Sequence, residues 1–128
     1  MLISLIGFSC LAQTSNPQNA QAQIVGIWRG NSVCLVPNSP CHDEENIYRI
    51  SEIAGKPGFF SITGSKIVDG NEIVMGTSEW KYDTKKHTLQ SESPFGTFLL
   101  TIDGNKMEGS LTKHDKTVYR RIHLTKQT

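Results

Sequence analysis

Residues 97–111, TFLLTIDGNKMEGSL, decide the fold class because they contain two short apolar runs joined by a tight turn. The central Asp-Gly dipeptide readily adopts the positive φ angles that such a turn requires. Apolar and polar residues alternate before the turn, so Phe98, Leu100 and Ile102 share one face. The stretch therefore predicts an antiparallel β-hairpin.

The same pattern continues in both directions along the chain. Short β-rich runs are separated by clusters of Gly, Asp, Asn and Lys, and after residue 23 no long run has the period of a helix. Short connections force sequential strands to pair antiparallel, and closing such a meander removes both sheet edges. We predict an all-β fold, an antiparallel up-and-down meander closed into a barrel of eight or nine strands. The runs, some of which fuse, are 24–35, 46–53, 58–63, 65–69, 72–76, 78–83, 87–92, 96–103, 106–112 and 117–125.

Alternation within the strands also predicts which side chains point into the barrel. An eight-stranded barrel is either filled by side chains or wide enough for one small ligand. Arg120 falls on the same predicted inward face as Val118, Ile122 and Leu124, and a guanidinium inside a barrel needs compensating partners. The predicted ligand-binding lining is largely aromatic and consists of Tyr48, Phe60, Trp80, Tyr82, Phe98 and Leu100.

The N-terminal residues differ in composition from the rest of the chain. No charged residue precedes Arg29, and residues 1–12 form an apolar run of the length found in signal peptides. Small residues allow cleavage after Ala12 or after Ala22. We expect residues 1–22 to be a signal peptide and polar leader, residues 23–128 a single β-barrel domain, and the protein periplasmic or secreted. The alternatives are a lipid anchor on Cys10 and a buried N-terminal strand or helix.

Cysteine usage agrees with export. The predicted mature chain retains only Cys34 and Cys41, with Pro37 and Pro40 between them. Such a pair predicts a local disulfide in an oxidising compartment, the alternative being two reduced thiols. A braced loop at 36–45 costs little entropy to bind, so it is a candidate surface for a protein partner.

Several classes of function receive no support from the sequence. The chain has 13 basic and 12 acidic residues, which gives no electrostatic footprint for nucleic acid. No apolar run reaches the roughly 18 residues of a membrane span. The sequence contains no nucleophile elbow and no phosphate-binding glycine loop. We interpret the segment 41–45, CHDEE, as a solvated loop. We therefore predict no enzyme, no catalytic residue, no cofactor and no metal.

Two motifs at the ends of the predicted barrel carry a family resemblance. Gly26-Ile27-Trp28 opens the first strand, and Tyr119-Arg120-Arg121 lies in the last. The combination resembles the calycin superfamily of lipocalins, fatty-acid-binding proteins and avidins. Residues 75–125, with their successive hairpins, also look like the small lipocalin-like domains of exported bacterial proteins. The resemblance implies that Trp28 packs at the closed end of the barrel. It also implies that Arg120, or alternatively Arg121, lies across the indole and bonds main-chain carbonyls.

These observations predict a function by binding. The first expectation is an exported, lipocalin-like barrel that binds a small apolar or amphipathic molecule in its interior. The alternative is a solid-core interaction or inhibitor module that acts through the 36–45 loop. A third hypothesis is an enzyme with its active site at the mouth of the barrel.

Overall fold

The computed structural model describes residues 17–128 and consists of one short helix and one closed sheet. Each strand pairs antiparallel with the next along the chain, and the last strand closes on the first. The predicted up-and-down barrel is confirmed, with eight strands. The elements are α1 (Pro17–Ile24), β1 (Gly26–Cys34), β2 (Glu44–Glu52), β3 (Phe59–Val68), β4 (Asn71–Asp83), β5 (Thr88–Glu92), β6 (Gly96–Asp103), β7 (Lys106–Lys113) and β8 (Val118–Lys126).

Up-and-down topology distributes the connections between two ends of the barrel. We call the end with α1 and the β2–β3, β4–β5 and β6–β7 turns the closed end. The opposite end, with the long β1–β2 loop and the β3–β4, β5–β6 and β7–β8 turns, is the open end. Both predicted Asp-Gly turns join hairpins, with positive φ at Asp69 (52°), Gly70 (79°) and Gly104 (58°).

The core fills the interior from the closed end upward. Inward residues of neighbouring strands are buried, as the predicted alternation requires, and they form one continuous apolar cluster. Its members are Ile24, Trp28, Tyr48, Ile50, Phe60, Ile62, Trp80, Tyr82, Leu89, Leu100, Ile102, Met107, Ile122 and Leu124.

Two predicted strand pairs fuse, and this fusion shapes the open end. The predicted breaks near Gly64 and residue 77 lie inside the long strands β3 and β4. Gly64 pairs with Gly76 and Ser65 pairs with Val74, so Met75 is an extra residue in β4. The interruption is a β-bulge, which changes the direction of a strand without ending it. The β3–β4 hairpin therefore continues through the bulge to its turn at the open end.

Helix α1 covers the closed end and lies across the predicted boundary between leader and barrel at residues 22 and 23. Its last residue, Ile24, is only 1% exposed and belongs to the core. The sequence pattern does not predict this helix. The first predicted strand starts at residue 24, whereas β1 starts at Gly26. The predicted apolar signal run and the alternative lipid anchor on Cys10 lie outside the described residues.

Candidate functional site

Trp28 marks the closed end, as the family resemblance implies, but its cationic neighbour is Lys126. The Trp28 side chain is fully buried, and its Nε1 donates to the Ile24 carbonyl oxygen at 2.9 Å. Lys126 Nζ lies 5.9 Å from the Trp28 ring centroid and donates to the carbonyl oxygens of Ala22 and Gln23 at 3.0 and 2.8 Å. These three bonds satisfy carbonyls in the last turn of α1, where a positive charge is also favoured.

The predicted contact between Trp28 and Arg120 is wrong. Strands β1 and β8 run antiparallel, so Trp28 lies opposite Lys126, while Arg120 lies opposite Cys34 near the other end of β1. Six residues of strand separate Arg120 from Lys126, about 20 Å at the rise of a β-strand. The alternative, Arg121, lies opposite Val33 and is exposed. Sequence alternation assigned Arg120, Ile122 and Leu124 to the inward face correctly. Val118, also predicted inward, is 40% exposed, because the β7–β8 register shifts between Leu111 and Thr112. Alternation could not assign the register between β1 and β8.

Arg120 does point inward, and it organises a polar wall at the open end. Its side chain is 13% exposed, and Nη2 lies 3.3 Å from Glu44 Oε1. Nη1 donates to the hydroxyl and the carbonyl oxygen of Ser32 at 3.2 and 3.4 Å. Asn46 Nδ2 donates to the other Glu44 oxygen at 3.2 Å and to the carbonyl oxygen of Ser65, beside the bulge, at 3.1 Å. The guanidinium is thus compensated by a carboxylate and a hydroxyl.

A cavity of about 300 Å³ lies next to this polar wall. Three of the predicted ligand-binding side chains, Tyr48, Trp80 and Phe98, line it. The Trp80 ring centroid is 6.1 Å from that of Tyr48 and 5.2 Å from that of Phe98, so the rings form one aromatic cluster. Among the described residues, no charged side chain lines the cavity. The remaining lining residues are Ile62, Gly64, Met75, Gly76, Thr77 and Ser78.

The other three predicted ligand-binding residues lie in the packed core and do not line the cavity. Phe60 and Tyr82 form an edge-to-face pair with ring centroids 6.3 Å apart. Leu100 is completely buried. These side chains share the inward face with Tyr48, Trp80 and Phe98, but they occupy deeper levels of the barrel. A pattern of period two predicts which face of the sheet a side chain is on. It contains no information on the position of that side chain along the barrel axis.

Two cavity-lining residues, Gly64 and Gly76, were not predicted. They pair with one another across β3 and β4 and contribute no side chain, which leaves space beside the Tyr48 ring. A Cβ atom built on Gly64 would meet Tyr48 at an ordinary contact distance of 3.7 Å. The sequence does contain a signal for this space. Each of two consecutive strands has a glycine at about the same distance from the turn that joins them, and a glycine inside a strand often indicates a bulge or an open space.

Tyr48 contributes a phenol hydroxyl to the aromatic cluster. Burial raises its pKa well above the usual range, with a further contribution from Glu44 that Arg120 partly offsets. The phenol therefore remains protonated at any physiological pH and can donate a hydrogen bond. Trp80 Nε1 is already bonded to Ser78 Oγ at 2.8 Å, so the indole presents its apolar face to the cavity.

One side of the cavity coincides with a gap in the sheet. Strand β4 pairs with β5 only at Lys81–Gln90, Tyr82–Leu89 and Asp83–Thr88. Above these pairs, within the described part of the chain, the residues from Asn71 to Trp80 have no backbone hydrogen-bond partner on the side facing away from β3. One side-chain bond crosses the gap, from Ser91 Oγ to the Glu79 carbonyl oxygen at 3.4 Å. The barrel wall is thus open beside the cavity, and we call this opening the seam.

The long β1–β2 loop contains the predicted disulfide, which is confirmed between Cys34 and Cys41. Cys34 N donates to Asp43 Oδ1 at 2.8 Å, and Ser39 Oγ donates to the Val36 carbonyl oxygen at 3.0 Å. The loop is therefore fixed by a covalent bond and by hydrogen bonds. Beside it, Val33, Leu35 and Val118 are large apolar side chains that remain exposed.

No helix within residues 17–128 is long and apolar enough to cross a membrane. In the same part of the chain, no three His, Cys, Asp or Glu side chains converge as a metal site. No protein-family model matches the chain, and no curated protein matches it. The fold defines the class, a closed eight-stranded antiparallel barrel compatible with a lipocalin-like fold.

Proposed function

We propose that this protein is an exported, lipocalin-like member of the calycin superfamily that binds a small apolar or amphipathic molecule. The observation that carries the proposal is the cavity of about 300 Å³ beside Tyr48, Trp80 and Phe98. This volume is at the lower end of the range of small-molecule pockets. The disulfide between Cys34 and Cys41 agrees with an oxidising compartment.

The lining indicates the chemistry of the ligand. Aromatic and aliphatic groups predominate in the lining, and no charged side chain of the described residues contributes to it, so a charged group of a ligand would find no ionic partner there. An aliphatic chain or a flat ring fits this lining. The protonated Tyr48 hydroxyl can orient one polar group of the ligand.

A titration with laurate tests this proposal, because laurate combines a short aliphatic chain with one polar group. We expect saturable binding that Gly64→Leu weakens at least about tenfold, since the new side chain occupies the cavity. Ser61→Leu is the matched control, because Ser61 lies on the same strand between the inward residues Phe60 and Ile62 and faces outward. Unchanged binding in Gly64→Leu would show that laurate binds elsewhere.

A second candidate function rests on the rigid loop at 36–45. The exposed side chains of Val33, Leu35 and Val118 form an apolar surface next to the disulfide. Such a surface, on a pre-organised loop, suits an interaction or inhibitor module. A Val33→Ser/Leu35→Ser double variant would separate the two functions, because it changes this surface and leaves the cavity intact.

A further inference from the structure

Tyr48 carries a hydroxyl group that has no hydrogen-bond partner in the described part of the chain. Its side chain lines the cavity, and the residue is only 6% exposed. Burial and the charges of Glu44 and Arg120 account for its shifted pKa, with no hydrogen bond among the causes. Because a buried phenol normally finds a hydrogen-bond partner, this donor is available to a ligand.

The other polar side chains of the cavity lining are already bonded. Thr77 Oγ1 lies 2.8 Å from Thr63 Oγ1, and Ser78 Oγ accepts a hydrogen bond from Trp80 Nε1 at 2.8 Å. Thr77 and Ser78 are also exposed, so water reaches their hydroxyl groups. Among the described lining residues, Tyr48 is therefore the buried polar side chain whose donor remains free.

An ion pair beside the cavity compensates the charge of Arg120. Glu44 Oε1 lies 3.3 Å from Arg120 Nη2, and Glu44 Oε2 accepts a hydrogen bond from Asn46 Nδ2 at 3.2 Å. Glu44, Asn46 and Tyr48 are alternate residues of β2, so they share its inward face. Burial raises the pKa of Tyr48, Glu44 raises it further, and Arg120 lowers it by less. The field at the hydroxyl group thus opposes a negative charge.

We propose that the cavity selects an uncharged ligand with an oxygen acceptor, such as the carbonyl group of an ester or a ketone, which accepts a hydrogen bond from Tyr48. The proposal rests on the proposed function, since it assigns the ligand chemistry of the same cavity. Glu44 determines the selectivity, because it occupies Arg120 and repels a second carboxylate. A fatty acid still binds through its chain, but its head group gains no ionic partner.

The first experiment compares methyl octanoate with octanoate by calorimetry, because the two compounds share a chain and differ in charge. The protein should bind the ester at least about tenfold more tightly than the acid anion. Tyr48→Phe should weaken ester binding about fivefold, since one neutral hydrogen bond is lost. Tyr82→Phe is the matched control, because the Tyr82 hydroxyl lies 3.1 Å from His87 Nδ1 and its ring belongs to the packed core. This control should leave ester binding unchanged.

The second experiment changes the charge of the polar wall. Glu44→Gln keeps the shape of the side chain and removes the charge that compensates Arg120. Octanoate should then bind at least about tenfold more tightly, whereas the affinity for methyl octanoate should change by less than about twofold. Glu45→Gln is the matched control, because it changes the net charge equally at a residue that pairs with Arg29 on the outer surface. This control should change neither affinity.

The outcomes separate this inference from the proposed function. A preference for the ester that Tyr48→Phe reduces and Glu44→Gln reverses supports the inference. Octanoate that binds as tightly as the ester overturns it, and weakening of both by Gly64→Leu would then leave the proposed function intact. An unchanged ester affinity in Tyr48→Phe overturns it as well. Absence of binding by the ester, octanoate and laurate would contradict the proposed function itself.

Discussion

Each end of the barrel contains a tryptophan and a cationic side chain, but their surroundings differ. At the closed end, one tryptophan, Trp28, is bonded to α1 and covered by Lys126, and its side chain is fully buried. At the open end, the second tryptophan, Trp80, contacts Tyr48 and Phe98 across a cavity. Each end also holds one inward cation, Lys126 or Arg120. At the closed end, three carbonyl oxygens of α1 accept side-chain hydrogen bonds, whereas at the open end, within residues 17–128, the edge of β4 has no partner strand.

This difference teaches how one barrel can combine stability with a binding site. Complete burial and satisfied carbonyls at the closed end stabilise the fold. The open end contains glycines, a bulge and a strand edge, which contribute less to stability and leave room for a ligand. We therefore expect substitutions at the closed end to change mainly the free energy of unfolding, and substitutions at the cavity to change mainly binding.

The largest expected effect comes from truncating the two tryptophans. Trp28→Ala should lower the free energy of unfolding by about 5 kcal/mol, and Trp80→Ala by about 3 kcal/mol, because the site of Trp80 already adjoins a cavity. Urea denaturation of both variants measures the difference. Equal losses would remove the energetic distinction between the two ends.

The next effect concerns the disulfide at the open end. In the chain-entropy model, closing the short loop between Cys34 and Cys41 contributes about 2–3 kcal/mol. The Cys34→Ala/Cys41→Ala variant should lose this amount and still bind laurate, because neither residue lines the cavity. Alkylation of the unreduced protein should label neither thiol. Labelling of both in exported protein would contradict the role of the bond.

The two inward cations provide a smaller and more specific comparison. Lys126→Met should cost about 0.5–1 kcal/mol, because it removes a cation that bonds two exposed carbonyls in the last turn of α1. It should also change the emission of Trp28, measured in a Trp80→Phe background. Arg120→Met should leave that emission unchanged, since Arg120 bonds Ser32 and Glu44 at the other end. A changed Trp28 emission in the Arg120→Met variant would indicate a contact between Trp28 and Arg120, and it would contradict the structure.

The smallest effect is expected at the β3–β4 hairpin, where Arg49 Nη2 bonds Glu72 at 2.7 Å on the surface. This bond lowers the pKa of Glu72 below its usual value. A carboxyl group with a lowered folded-state pKa stabilises the protein above its unfolded pKa, and the contribution is lost as the pH falls through the folded value. Glu72→Gln should reduce this loss in acid unfolding curves. An identical acid slope in both proteins would show that the ion pair does not contribute.

Much of the fold could be predicted from local sequence, because Asp-Gly turns and alternation are local signals. Residues 97–111 indicate their hairpin correctly, and the inward face of Phe98, Leu100 and Ile102 is confirmed. The register between β1 and β8 depends on contacts between the two ends of the chain, so the neighbour of Trp28 was assigned to Arg120 in place of Lys126. The cavity depends on two missing side chains, at Gly64 and Gly76, and empty space leaves little trace in a hydrophobicity pattern.

The most direct test of the central claim, that the open end binds the ligand and the closed end does not, compares two single-tryptophan variants. Trp28→Phe retains only Trp80 beside the cavity, and Trp80→Phe retains only Trp28 beneath Lys126. During a laurate titration, we predict a saturable change in the emission of Trp80 and no change in that of Trp28. An unchanged Trp80 signal, or equal responses from both tryptophans, would contradict the claim.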